Sequence, residues 1–183
     1  MASASHGDLP ASAWVQRWSP LVAPGGSVLD VACGRGRHLR WFAARGCRVS
    51  GVDRDAAGLQ AQQGIGELVV ADLENGPWPL PGRRFDAVVV TNYLWRALMP
   101  TLVESVAEGG VLIYETFAYG NASVGKPSNP HFLLQPGELL HLAQGLRIVA
   151  FEDGFLGAPE RFVQRVAAVR ERAGATAPPR YPL

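Results

Sequence analysis

From Ser27 onward, short apolar runs rich in valine alternate with stretches in which apolar residues recur three and four positions apart. The runs are bounded by glycine, proline or charged residues and predict strands over residues 28–31, 48–52, 67–70, 85–91 and 111–116. Between them, a helix is expected over 37–45, where Leu39, Phe42 and Ala43 make an apolar stripe and Gly46 serves as a left-handed terminator. A second helix is expected over 55–63, opened by Asp55 as a cap. A third is expected to follow Asn92 through Leu98, Leu102 and Val106, kinked or split at Pro100 and broken by Gly109-Gly110. Strand and helix in alternation predict a parallel sheet covered by helices on both faces.

Beyond Thr116 the pattern changes. Residues 120–136 are rich in glycine, asparagine, serine and proline, a loop longer than most connections in a compact domain. A short helix over 137–142 precedes two further strands, 146–151 and 162–169, which extend the sheet as an antiparallel edge pair. An amphipathic segment over 11–21 is suited to pack on the sheet. The fold class expected is therefore α/β: a doubly wound, mostly parallel seven-stranded sheet with an antiparallel C-terminal edge pair. The whole of 1–183 reads as a single domain with its core at about 22–170 and a flexible proline-rich tail at 174–183.

Composition narrows the partners. Seventeen lysines and arginines stand against 16 acidic residues, a net charge of +1, so no nucleic-acid footprint or polybasic membrane patch is expected. Two cysteines, Cys33 and Cys47, are too few for a disulfide framework, and with four histidines they form no metal-ligand spacing, so no metal site is expected. Met1-Ala2-Ser3-Ala4-Ser5-His6 has no basic region followed by an apolar stretch, and no run approaches the ~20 residues that span a bilayer. The expected location is the cytoplasm, as a monomer or weak homodimer.

The most specific segment is Asp30-Val31-Ala32-Cys33-Gly34-Arg35-Gly36-Arg37-His38, a strand that enters a glycine turn and then a helix. Glycines at 34 and 36 let the backbone turn sharply and a ligand lie close against it. Asp53 ends the second strand about 20 residues further on, where a ribose-binding carboxylate belongs in a nucleotide-binding βαβ unit. Asp72 follows the third strand and Asn92-Tyr93-Leu94 the fourth, so all fall at the carboxyl ends of parallel strands, where open α/β sheets bind ligands. A helix cap for Asp53, a turn residue for Asp72 and solvated helix-start positions for Arg35, Arg37 and His38 are the plainer alternatives. A dinucleotide fits poorly, because Leu39 replaces the third glycine of G-x-G-x-x-G. Asp30 beside the turn disfavours phosphates and favours a ligand that carries an ammonium and a sulfonium.

At these residues the chain resembles the class I S-adenosylmethionine-dependent methyltransferases, with a likeness to the small tellurite-resistance-type and thiopurine-type enzymes. The resemblance spans about residues 27–169 and departs from the family motif at Ala32, which stands where the first glycine would be. It implies S-adenosylmethionine as cofactor and S-adenosylhomocysteine as product. It further implies that Ala32, Cys33, Gly34 and Gly36 form the pocket floor, with His38 near the cofactor carboxylate. Asp30 would lie near the methionyl amino group, Asp53 and Arg54 at the ribose, Asp72 and Leu73 at the adenine, and Asn92, Tyr93 and Leu94 at the methyl end.

Methyl transfer from a sulfonium needs alignment and exclusion of water more than it needs a base. The acceptor is expected to be a small molecule: a thiol, a chalcogen anion or another small nucleophile. Candidate acceptor-side residues are Tyr93, Trp95 and Arg96 after the fourth strand and Glu115, Phe117 and Tyr119 at the end of the fifth, with Trp95 and Phe117 equally suited to packing. Lys126 and His131 on the 120–136 loop are candidates if that loop folds over the acceptor. A non-catalytic S-adenosylmethionine sensor and an NAD(P)-dependent oxidoreductase are the competing readings.

Overall fold

The computed structural model describes residues 9–174 and 176–183; Met1 to His6, on which the expectation about export rested, lie outside them. The valine-rich runs form β1 (Ser27–Val31), β2 (Arg48–Asp53), β3 (Glu67–Val70), β4 (Phe85–Thr91) and β5 (Val106–Phe117), and the hairpin that follows is β6 (Arg147–Gly157) and β7 (Glu160–Val169). One seven-stranded sheet has the order β3-β2-β1-β4-β5-β7-β6. The first five strands are parallel and β7 runs antiparallel to both neighbours. Strand order reverses between β1 and β4, which opens a crevice at their carboxyl ends.

Successive side chains of the central strands enter two cores. On one face Leu29, Val31, Val88, Val90, Leu112 and Tyr114 pack with Met99 and Leu102 of α4 (Met99–Glu104) and Leu139 of α5 (Glu138–Leu142). On the other, Val28, Ala87, Val89, Val111 and Ile113 pack with Trp14 and Trp18 of α1 (Ala13–Trp18) and with Leu39 and Phe42 of α2 (Arg37–Ala43). The Ser12 side chain caps α1 by accepting from the backbone N–H groups of Trp14 and Val15. Asp30 and Glu115 occupy positions on this second face where apolar residues would continue the pattern. Both are 1% exposed.

The expected third helix is only partly formed. Asn92 has φ +55°, a left-handed conformation that no helix continues through, so the chain after β4 runs as a loop, then a 3₁₀ turn at Arg96–Leu98, then α4. Pro100 lies in the first turn of α4, where its missing N–H is no loss, rather than at a kink. Val106 already belongs to β5, and Gly109-Gly110 sits in an irregularity of that strand, where a Cβ on Gly110 would lie 2.9 Å from the Phe85 carbonyl oxygen. The final hairpin is longer than expected, and its extra residues reach the crevice. Among the described residues no helix is long and apolar enough to cross a membrane.

α2 lies close over β2 because Gly51 has no side chain. A Cβ there would come within 2.8 Å of Leu39 Cδ1 and 2.9 Å of Cys33 Sγ. Leu39, standing where a dinucleotide fingerprint places glycine, thus has its bulk accommodated by a glycine on the strand beneath. Gly51→Ala is expected to cost about 1–3 kcal/mol through overpacking, read as a lower urea midpoint at unchanged slope; an unchanged midpoint would contradict this packing.

Candidate active site

The turn after β1 is held in a conformation few residues adopt. Ala32, Gly34 and Gly36 all have positive φ, at +53°, +52° and +68°. Asp53, at the end of β2, pins the turn: its Oδ2 accepts from the Gly34 N–H at 2.7 Å and its Oδ1 from the Asp55 N–H at 2.8 Å. A Cβ on Gly34 would meet no protein atom within 4 Å, so the turn faces open space there. On Gly36 a Cβ would meet Gln62 at 2.9 Å.

Two recesses meet at Ala32. The narrower, about 140 Å³, is lined by Ala32, Asp53, Arg54, Ala71, Asp72, Leu73, Glu74 and Tyr93. The wider, about 570 Å³, lies between the glycine turn, residues 9–13, Thr91-Asn92 and the β6–β7 hairpin, and its charged lining is Arg35, Arg37 and Arg161. A hollow of about 680 Å³ at the opposite end of the sheet is bounded largely by tail residues near Tyr181 and lies away from the strands' carboxyl ends.

Asp72 is exposed, and its carboxylate accepts from the backbone N–H groups of Glu74 and Asn75 and from the Asn75 side chain, which hold its pKa below the usual carboxylate value. It is a turn residue that also borders the narrow recess. The Tyr93 hydroxyl is buried without a hydrogen-bond partner, and burial, followed by Glu74 and Asp72, pushes its pKa up to about 12. It stays protonated at neutral pH, a donor rather than a base. Asp30 Oδ2 is likewise buried and unpartnered, 3.6 Å from His38 Nδ1. The Ser12 backbone N–H donates to His38 Nε2 at 3.3 Å, so the neutral ring carries its proton on Nδ1, facing Asp30. Burial, then Asp30 and Asp53, raises the Cys33 thiol well above the ordinary range, which leaves it unreactive.

The acceptor-side candidates divide sharply. Tyr93 borders the narrow recess; Arg96, Glu115, Tyr119 and His131 border neither. Arg96 is committed to Glu138, with Nη2 to Oε2 at 2.9 Å, and to the carbonyls of His131 and Leu133, so it fastens the 120–136 loop rather than awaiting an anion. Glu115 accepts from Ser12 Oγ at 3.0 Å and Arg165 Nη1 at 3.1 Å. Tyr119 is 67% exposed, and Lys126 and His131 are exposed on a loop that does not reach the crevice. Of the cofactor-side candidates, Leu94 belongs to the core, and Gly36 and Asp30 lie beneath the lining. Missed from the sequence were Thr91, at the end of β4, and Pro159 and Arg161, the latter two because the hairpin was expected to begin its second strand only at Phe162. The N-terminal wall had one legible sign, the Ser12 cap.

Residues 28–110 match the family model described as a methyltransferase domain. No curated protein matches the chain. Among solved structures, a TehB-like S-adenosylmethionine-dependent methyltransferase from Corynebacterium glutamicum is 18% identical, with TM-score 0.66 over 90% of this chain and 90% of that one. TehB from Haemophilus influenzae is 17% identical, with TM-score 0.70 over 93% of this chain and 64% of that one. The glycopeptide N-methyltransferase MtfA complexed with sinefungin is 18% identical, with TM-score 0.60 over 85% and 91%. The fold is that of the class I S-adenosylmethionine-dependent methyltransferases. The chain resembles TehB in architecture, and the match over residues 28–110 together with that fold implies S-adenosylmethionine as the cofactor. The residues present fit that cofactor: Tyr93 Oη, buried and without a hydrogen-bond partner among the described residues, borders the narrow recess, Asp30 Oδ2 lies likewise orphaned beneath the turn, and the turn is open at Gly34.

The left-handed backbone at Ala32 makes a direct prediction. A non-glycine residue there costs ~1–2 kcal/mol, partly offset by the greater chain entropy that glycine loses on folding. Ala32→Gly is expected to stabilise the protein by about 1 kcal/mol, seen as a higher melting temperature; a lower one would mean that the methyl group makes contacts worth more than the strain.

Proposed function

We propose that the protein transfers the methyl group of S-adenosylmethionine by in-line displacement to a small-molecule acceptor, releasing S-adenosylhomocysteine. The observation that carries this reading is the meeting of a narrow, carboxylate-flanked recess with a wider cleft at the glycine turn. When bound, the cofactor supplies an activated methyl on a good leaving group. In this reading Asp53 uses its remaining lone pairs for the ribose hydroxyls, with Arg54 beside it, and Asp72 and the Leu73 backbone meet the adenine. Asp30 faces the ammonium and Arg37 the cofactor carboxylate, while His38, whose nitrogens are directed at Ser12 and Asp30, orients Asp30. Ala32, Cys33, Gly34 and Asn92 surround the methyl end, and Tyr93 donates its hydroxyl.

No carboxylate lines the cleft among the described residues, and both His38 nitrogens are directed at Ser12 and Asp30. Without a free base, the acceptor is one already deprotonated near neutral pH, such as a thiolate, a chalcogen anion or a comparable small nucleophile. Alignment and exclusion of water then make the protein's main contribution.

Incubation with S-adenosylmethionine and a panel of small thiols, selenols and amines is expected to release S-adenosylhomocysteine at least about tenfold above background with a thiol or selenol. Cofactor binding with no turnover on any acceptor would point instead to a sensor. Tyr93→Phe separates site from scaffold, because it removes an unsatisfied hydroxyl. It is expected to leave the ligand-free protein as stable or up to about 1 kcal/mol more so while weakening cofactor binding about five- to tenfold. Unchanged affinity would remove Tyr93 from the pocket.

A further inference from the structure

Two arginines of the hairpin's second strand, four positions apart, are in very different states. Arg165 is neutralised on both sides, by Glu115 Oε2 at 3.1 Å and by Glu152 Oε2 at 2.7 Å. Arg161 is not. Its Nη2 is 3.9 Å from Glu115 Oε1, an oxygen that already accepts from Ser12 Oγ, and its Nε is shielded from water without a hydrogen-bond partner among the described residues. In the same cleft, Arg37 makes a long side-chain hydrogen bond, from Nη2 to Thr91 Oγ1 at 3.4 Å. Burial lowers the pKa of Arg37, Asp30 and Glu115 beneath the lining act the other way, and Arg161 adds a smaller lowering contribution. With the exposed Arg35 at its edge, the recess is thus lined by three arginines and by no carboxylate among the described residues.

The form of the missing anion follows from the backbone. Phosphate sites at glycine turns depend on free N–H groups that converge on the ligand. Here the N–H groups of Cys33, Gly34 and Gly36 are taken by Val52 O, Asp53 Oδ2 and Cys33 O. The planar fork of a guanidinium, by contrast, matches the two oxygens of a carboxylate. Arg37, beside the glycine turn, is available to the cofactor's own carboxylate, Arg35 is exposed, and Arg161 is left for the acceptor. We infer that the methyl acceptor is an organic carboxylate, anchored by Arg161 on the hairpin side of the cleft. This rests on the reading of the cleft as the acceptor site of a methyltransferase. The acceptor then carries two features: a carboxylate that binds Arg161 and, apart from it, the deprotonated nucleophile that takes the methyl.

The test is calorimetric titration of the full chain with acetate, benzoate and phenylacetate, each against its neutral amide, with and without S-adenosylhomocysteine. At least one acid is expected to bind about tenfold more tightly than its amide. Arg161→Gln is expected to abolish that preference while S-adenosylhomocysteine affinity stays within about twofold. Arg161→Lys, which keeps the charge and loses the fork, is expected to give an intermediate preference, and it serves if the glutamine variant does not fold. Equal binding of acids and amides would overturn the inference, as would a preference that survives in either variant at full size, or inorganic phosphate binding more tightly than every acid. If the wild type binds no S-adenosylhomocysteine, the methyltransferase reading fails, while the acid-to-amide comparison still reports on the cleft.

Discussion

Between Val31 and Arg37 the backbone enters the left-handed region three times, and the carboxylate of Asp53 holds the middle of that turn through the Gly34 N–H. A hydrogen bond to a charged acceptor contributes about 1.5–3 kcal/mol, enough to offset the ~1–2 kcal/mol of strain at Ala32. The consequence reaches further than stability. With the turn fixed, β1 ends at the point where strand order reverses, α2 starts over Gly51, and Ala32 becomes the wall shared by two recesses. Asp53 therefore has a structural duty, and any contact it makes with a ribose is additional to it.

The second face of the sheet carries the polar machinery that the apolar pattern would exclude. Asp30 and Glu115 are almost fully buried there, and each is met by a residue from the segment that begins the described chain or from α2: His38 beside Asp30, Ser12 against Glu115. Ser12 does three things at once. It caps α1, donates from its backbone to His38 and donates from its hydroxyl to Glu115. The N-terminal helix is thereby tied to the turn and to β5 together, and it forms the outer wall of the cleft. Breaking a buried charged group from its partners costs several kcal/mol, so this wall is part of the fold rather than an appendage.

Much of this was legible in the sequence, because its carriers are local. The five parallel strands follow from buried valine runs, and the glycine turn followed by a carboxylate at Asp53 marks the crevice at the carboxyl ends of β1 and β2. What was not legible depends on long-range choices. Asn92 could read as a helix start until its positive φ is known. Arg96 and Glu115 look like free polar residues at strand ends, and only the fold brings Glu138 to one and Ser12 and Arg165 to the other. Arg161 carries no sequence signal, since an arginine next to a turn is ordinarily solvated; its place in the cleft comes from a hairpin whose strands extend beyond their apolar stretch. The 120–136 loop drew attention by length and composition, yet it is fastened along the outer side by Arg96 and Asn121.

The central claim, that the two recesses joined at Ala32 form one cofactor and acceptor site, is tested most directly by a crystal structure of the protein with S-adenosylhomocysteine. The account predicts the adenosine in the narrow recess among Asp53, Asp72 and Tyr93, with the sulfur at Ala32 and Asn92 facing the arginine-lined cleft. A nucleoside bound elsewhere, or a cofactor whose sulfur faces away from Arg161, would contradict it.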